Sequence, residues 1–385
     1  MRFAVGLLFC LLIGGCATAP APRSAAPQGL FDDRLFGAPS ETVTGDDLFA
    51  LSDDMKRFLD TEIAADIRVK GHRQALFDAL YTKHRLQLNY DGAATRGAAA
   101  TFSKRAGNCL SLVIMTAAFA KAMEIPVRYQ SVYLDEALSR NEDIYFFVGH
   151  VNLILGTRKI DVGFGRFGSD EKIIDFLPPI ETRGVQASEI SEPTVIAMYM
   201  NNRAAEALVR GQVDDAYAWA KAAIGAEPNF SNSYNTLGVV YYRKHRPAEA
   251  ERVFRAALER KPDNAHVIAN LIRVLNDVGR VAEAQELNRK LERIEPNPPF
   301  AFYLRGLKAM REGDYNAARD MFAKEVDRAP YYHEFRFWLA LAYLGLGQME
   351  PARKELALAV EYSTTPKDHD LYSAKLEKLS PSHPL

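Results

Sequence analysis

Ser231 to Asn264 reads SNSYNTLGVVYYRKHRPAEAERVFRAALERKPDN, and the architecture of the C-terminal half follows from it. Tyr234, Leu237, Gly238 and Tyr241 stand three or four residues apart, which puts them on one helical face; Ala250, Phe254 and Ala257 do the same on a second helix. The small residues let the two helices cross closely. Pro262 ends the second helix because it has no N–H to donate to the preceding turn. Pro228, Pro262, Pro296 and Pro330 each follow the last by 34 residues, and Ala216, Ala250, Ala284, Ala318 and Ala352 keep the same step. A period of this length marks a two-helix unit that buries its apolar face only by stacking on its neighbours.

The pattern Tyr234, Leu237, Gly238, Tyr241, Ala250, Phe254, Ala257, Pro262 resembles the tetratricopeptide repeat. About five units span 197–385, beginning near Ala197, Ser231, Ala265, Pro299 and His333. Tyr372, Leu376 and Leu379 then form the apolar stripe of a capping helix over Asp368 to Leu379. The resemblance implies an all-α solenoid whose inner face, lined by the first helix of each hairpin, holds a peptide or protein segment. Placed on the repeat, Asn232, Asn235, Tyr242, Arg243, His266, Arg273, Asn276 and Tyr303 are expected to point into that groove. The alternative for each is a solvated helix face.

At the other end, Phe3 to Ile13 is an apolar run too short to span a bilayer, which reads as the core of a signal peptide over 1–15. Leu12-Ile13-Gly14-Gly15-Cys16 resembles the bacterial lipobox, which implies cleavage before Cys16 and a diacylglycerol on its sulfur. The alternative is an ordinary secretory signal with an incidental cysteine. Residues 16–30, rich in Ala and Pro, then form a flexible tether. Ala17 after the lipidated cysteine implies the outer membrane, facing the periplasm, with acyl chains as the membrane partner.

Composition excludes some functions. A formal net charge of -1 over 385 residues leaves no strongly basic face for nucleic acid. Of three cysteines, Cys10 leaves with the signal and Cys16 is spoken for, so Cys109 is the lone thiol of the mature chain in an oxidising compartment.

Cys109 also opens a helix. Ser52 to about Ala65 and Gly71 to Tyr81 carry earlier helical patterns; after Arg105-Ala106-Gly107-Asn108, residues Leu110, Ile114, Ala117, Ala118 and Ala122 continue a third until Pro126. The positive end of a helix dipole favours a thiolate, the form that acts as a nucleophile. Such a thiolate needs a histidine beside it and a carboxylate to orient the histidine. Val127 to Leu134, Ile144 to Leu155 and Lys159 to Gly163 read as strands. A turn at Gly156-Thr157 is expected to set Asp161 of the third beside His150 of the second.

The run Gly107-Asn108-Cys109, the turn at Glu124-Ile125-Pro126-Val127-Arg128, Gly149-His150 and Ile160-Asp161 resembles the transglutaminase-like superfamily. The resemblance implies an α+β, papain-like domain over 31–190, with Cys109 as nucleophile, His150 as general base and Asp161 as orienting acid. Leu110 after the cysteine, Val151-Asn152 after the histidine and Val162 after the aspartate depart from the family's usual aromatics and proline. No cofactor or metal is expected. Gly163-Phe164-Gly165-Arg166-Phe167-Gly168 matches a dinucleotide fingerprint, but no helix of useful length can open before Pro178-Pro179.

Two functions follow. One is a lipid-anchored cysteine hydrolase or acyltransferase acting on peptide amides presented by the repeats. The other is an envelope scaffold whose N-terminal domain is a non-catalytic docking module.

Overall fold

The computed structural model describes residues 29–41, 44–45, 47–81, 86–92, 94–132, 138–141, 144–147, 150–156, 171–176, 187–297 and 300–379. The signal peptide, Cys16, and the tether as far as residue 28 lie outside the described residues, as do Asp161 and the Gly163–Gly168 run. No described helix is long and apolar enough to cross a membrane.

The N-terminal module begins with α1 (Asp53–Arg57), capped by Ser52, whose hydroxyl accepts from the Met55 N–H. The single helix expected from Ser52 to Ala65 is broken. A π-helical turn over Phe58–Glu62 separates α1 from α2 (Ala64–Lys70). The wider turn delivers Phe58 into the core, edge-on to Phe102 at 5.6 Å and tilted against Phe119 at 5.7 Å. Then come α3 (His72–Tyr81), a two-residue parallel pair β1 (Asn89–Tyr90) and β2 (Ala106–Gly107), α4 (Ala98–Lys104) between them, and α5 (Cys109–Ala122). Every residue of α5 from Cys109 to Ala120 is buried. A helix apolar all round belongs at the centre of a module.

Beyond α5 the chain is antiparallel: β3 (Val127–Val132), β4 (Leu138–Asn141), β5 (Ile144–Phe147), β6 (His150–Leu155), β7 (Lys172–Ile174) and β8 (Ala187–Ile190). β4 and β5 pair as a hairpin, and the main sheet runs β7-β6-β3-β8. Ile144 to Leu155 is therefore two strands, with His150 at the mouth of the second. The return partner of β6 is β7, starting at Lys172.

The solenoid follows without a break. Its hairpins are α6 (Glu192–Val209) with α7 (Val213–Ala226), α8 (Ser231–Arg243) with α9 (Pro247–Arg260), α10 (Ala265–Asp277) with α11 (Val281–Ile294), α12 (Ala301–Glu312) with α13 (Tyr315–Arg328), and α14 (His333–Gly345) with α15 (Met349–Glu361). The cap α16 (Pro366–Lys378) buries Tyr372. Two glycines show why the repeat needs them. A Cβ at Gly306 would stand 2.6 Å from Phe322, and one at Gly238 would overlap the ring of Phe254. Gly238→Ala is accordingly expected to cost about 1–3 kcal/mol in urea unfolding, since the ring is buried and cannot yield. Gly225→Ala in α7, which meets nothing within 4 Å, is expected to be neutral or stabilising by about 0.5–1 kcal/mol.

The module and the solenoid share structure. Val195 of α6 lies in the N-terminal core, whereas Met200, Ala204, Ala207 and Leu208 of the same helix lie in the repeat core. The last residue of the expected tether and the segment after it cross the same boundary. Leu30 is buried among the repeats; the Tyr241 hydroxyl accepts from the Asp32 N–H and donates to the Leu30 carbonyl, both at 2.9 Å. Phe36 stacks on Tyr217 at 3.8 Å, and Ser40 donates twice to Asp215. At the far end, the Gly92 N–H reaches the Thr364 carbonyl at 3.4 Å, so the curl of the solenoid returns to the N-terminal module.

Candidate functional site

The site is built where α5 meets the start of β6. Asn108 caps α5: its Oδ1 accepts from the Ser111 N–H at 2.9 Å and hydroxyl at 2.8 Å, and its Nδ2 donates to Thr95 Oγ1 at 2.8 Å. Gly107 has to be glycine, because a Cβ there would stand 2.7 Å from Ser111 Cβ. The cap is tied to the first repeat helix, since Glu206 of α6 accepts from the Thr95 N–H at 2.7 Å.

This cap presents Cys109 to His150, and hydrogen bonding and charge between the two side chains shift the pKa of each. His150 Nε2 stands 2.7 Å from Asp175 Oδ1, which leaves Nδ1 as the ring nitrogen for the thiol. The Asn152 amide donates to Asp175 Oδ2 at 3.0 Å. Tyr81 clamps the aspartate's backbone, accepting from its N–H at 2.9 Å and donating to its carbonyl at 2.7 Å. The sheet explains the meeting: Leu153 pairs with Ile174, so the next step of the antiparallel register sets Asp175 opposite Asn152, on the face that carries His150.

The electrostatics are those of an ion pair. Burial pushes the Cys109 thiol up, but the hydrogen bond and charge of His150, with the N–H groups of Val151 and Leu110, bring it below its ordinary value. Burial pushes His150 down; the hydrogen bonds to Asp175 and Cys109 outweigh it, and its pKa is pushed up to about 10. Both side chains are enclosed, Cys109 at 4% exposure and His150 at 3%.

Of the residues expected from sequence, Cys109 and His150 are together. The carboxylate on the histidine is Asp175, which sequence reasoning missed; Asp161, expected in that role, lies outside the described residues. Among the described residues no cluster of three His, Cys, Asp or Glu is arranged to hold a metal ion.

The expected groove residues separate. Asn232 and His266 line a cleft between the sheet and the repeats. Asn235 accepts from Asn270 at 2.9 Å and Tyr242 donates to Asp277 at 2.6 Å, two rungs between neighbouring first helices. Arg243, Arg273 and Asn276 are exposed. Tyr303 contradicts its expected place. It is 5% exposed, packs against Phe300, Phe322 and Phe335, and donates to Glu334 at 2.5 Å. Tyr303 precedes Gly306 by three residues where Tyr234 precedes Gly238 by four, and both spacings reach the same buried face.

Comparisons with known proteins bear on the solenoid. A tetratricopeptide-repeat family model matches residues 241–306 and 309–376. The N-alpha-acetyltransferase 25, NatB auxiliary subunit, of Homo sapiens is 24% identical over 121 residues, a match covering 31% of this chain and only 12% of that protein; the Rattus norvegicus protein matches equally. Among solved structures, MamA is 21% identical with a TM-score of 0.25, covering 45% of this chain and 93% of its own. YrrB, described as a TPR protein with an unusual peptide-binding site, is 21% identical with a TM-score of 0.25, covering 46% and 92%. The C-terminal half of the chain is a solenoid of tetratricopeptide repeats.

Proposed function

We propose that the protein is a transglutaminase-like cysteine hydrolase or acyltransferase that cleaves or transfers peptide amides. In this reading it is anchored through a lipid on Cys16 at the bacterial outer membrane facing the periplasm, and its repeats present a protein segment. The observation that carries the chemistry is the line Cys109–His150–Asp175, in which Asp175 holds His150 Nε2 at 2.7 Å, the thiol's pKa is lowered and the imidazole's is raised.

In the reaction, the Cys109 thiolate attacks the amide carbonyl carbon and the His150 imidazolium protonates the departing amine as the C–N bond breaks. A thioester remains on Cys109. Water or an amine then gives its proton to His150 as it attacks the thioester, and the C–S bond breaks to restore the thiolate. Asp175 keeps the ring in one tautomer throughout. The Cys109 N–H, in the first turn of α5 where a helix has no internal acceptor, is available to the oxyanion.

A second reading is favoured by one observation, the 4% exposure of Cys109. A scaffold whose N-terminal module serves only for docking needs no open thiol. Alkylation separates the two. With Cys10 and Cys16 replaced by Ser, Cys109 is the only thiol. The enzyme reading expects iodoacetamide to react through a thiolate that persists well below the ordinary cysteine range of about 8.5, and His150→Ala to restore that range. A thiol inert in both proteins would leave the scaffold.

A further inference from the structure

The N-terminal sheet and the repeats enclose a cleft of about 850 Å³. Ser131 of β3 and Ser188 of β8 floor it; the turns and first residues leading into α8, α10 and α12 form the opposite wall, with Asn232, His266 and Phe302 among them. Two features point to an occupant.

The first is where the floor leads. Val151 pairs with Ser131, and Ser131 with Ser188, so the three stand abreast across β6, β3 and β8 on one face. Val151 directly follows His150, and its N–H is one of the groups that lower the Cys109 pKa. Two strand spacings make about 10 Å, the reach of roughly three residues of extended chain. Ser131 and Ser188 line the cleft, whereas Val151, the third of the row, is buried in the N-terminal core, so the open part of the row ends at Ser131 on the side toward Cys109.

The second is charge. At the far end of the cleft Phe302 is surrounded by Arg305 at 5.6 Å, Lys324 at 5.2 Å and Arg328 at 5.9 Å. Glu325, buried beside it, spends Oε1 on the N–H groups of Phe302 and Tyr303, and its Oε2 stands 3.7 Å from Arg328, so it offsets the charge of Arg328. Lys261 adds a further cation to the lining; of the acids there, Asp263 is already paired with Lys290 at 3.2 Å, and Glu295 is the other. Arg305 and Lys324 are exposed, so a ligand can reach them.

We propose that this cleft holds an extended, acidic protein segment, with its carboxylates at the Phe302 corner and its chain crossing Ser188 and Ser131 toward Cys109. Only the last step, delivery to the thiol, rests on the enzyme reading; binding does not. The segment is the substrate when Cys109 is active.

The test uses the full chain in detergent with Cys109→Ala, so that no turnover intervenes, and fluorescein-labelled peptides of alternating Glu-Ala or Gln-Ala read by anisotropy. The Glu peptide is expected to bind roughly tenfold tighter than the Gln peptide, with the advantage shrinking as salt rises. Arg305→Gln with Lys324→Gln, both on exposed side chains, is expected to remove most of that preference. Ser188→Trp, on an exposed residue, is expected to block both peptides with the unfolding midpoint unchanged. Equal affinity for the two peptides, or full binding by either variant, would overturn the proposal. Failure here beside a reactive Cys109 rejects the cleft alone, and binding beside an inert Cys109 rejects the enzyme alone.

Discussion

Asp175→Asn is expected to slow acylation of Cys109 by a substrate-like electrophile by about 10³–10⁴-fold, while Asp161→Asn leaves the rate unchanged. The reason is the tautomer. With a carboxylate at position 175, His150 Nε2 carries its proton toward Oδ1, so Nδ1 is the nitrogen that takes the thiol's proton to form the ion pair. Asn152 donates to the other oxygen, so an amide at 175 turns its carbonyl to Asn152 and its NH₂ to the ring. Nε2 then accepts, Nδ1 carries the proton, and the thiol loses its base. Comparable losses in the two variants, or a loss confined to Asp161→Asn, would show that the carboxylate has been assigned to the wrong residue.

The same substitution has a pH signature. His150 has a folded pKa of about 10, above its unfolded value near 6.5, so its stabilisation is fully present below about 6.5 and is lost as pH rises through 10. The thiol is shifted the other way, and its contribution is lost as pH falls through its lowered value. Removing the Asp175 charge lowers the histidine's folded pKa and draws the alkaline loss of stability to lower pH. Thermal midpoints followed from pH 6 to 10 read this directly as an earlier fall in the variant.

The repeats were readable because each unit states the same local fact several times over: small Gly238 against Phe254, Gly306 against Phe322, a proline every 34 residues. Cys109 and His150 were readable for a different reason. A capping Asn108 before an apolar helix and a histidine opening an apolar strand are local signals, and the chemistry needs only that they meet. Asp175 depends on which strand lies beside β6, a non-local choice. Gly156-Thr157 suggested an immediate return, but the pairing strand is the three-residue Lys172–Ile174, too short for its alternation to stand out. The apolar pair Ile173-Ile174 ahead of Asp175 was the signal available. The arm is hidden in the same way: Leu30-Phe31 and Leu35-Phe36, apolar pairs flanking Asp32-Asp33-Arg34, fall at the expected junction of tether and N-terminal domain, and they dock on the repeats.

Ala197→Pro is expected to cost at least about 3 kcal/mol and to split one unfolding transition into two. Ala197 sits in the interior of α6, fully buried, after Val195 has entered the N-terminal core and before Met200 enters that of the repeats. Proline there removes the hydrogen bond to the carbonyl four residues back and forces its ring against the preceding turn. The cost falls on the one described helix that both cores share. The chain supplies separate probes for each side, since both tryptophans, Trp219 and Trp338, lie in the solenoid and Cys109 lies in the N-terminal module. In the parent chain, with Cys109 as the single thiol, tryptophan fluorescence and Cys109 labelling are expected to report one midpoint, because a helix with residues in two cores makes neither independent. In the variant, Cys109 is expected to become labelled at a lower temperature than that at which the fluorescence changes, since the four-stranded module loses its covering helix while the repeats still stack on their own neighbours. Coincident midpoints in both proteins would mean that the docked arm and the Gly92–Thr364 contact, rather than α6, carry the coupling between the candidate site and the repeats.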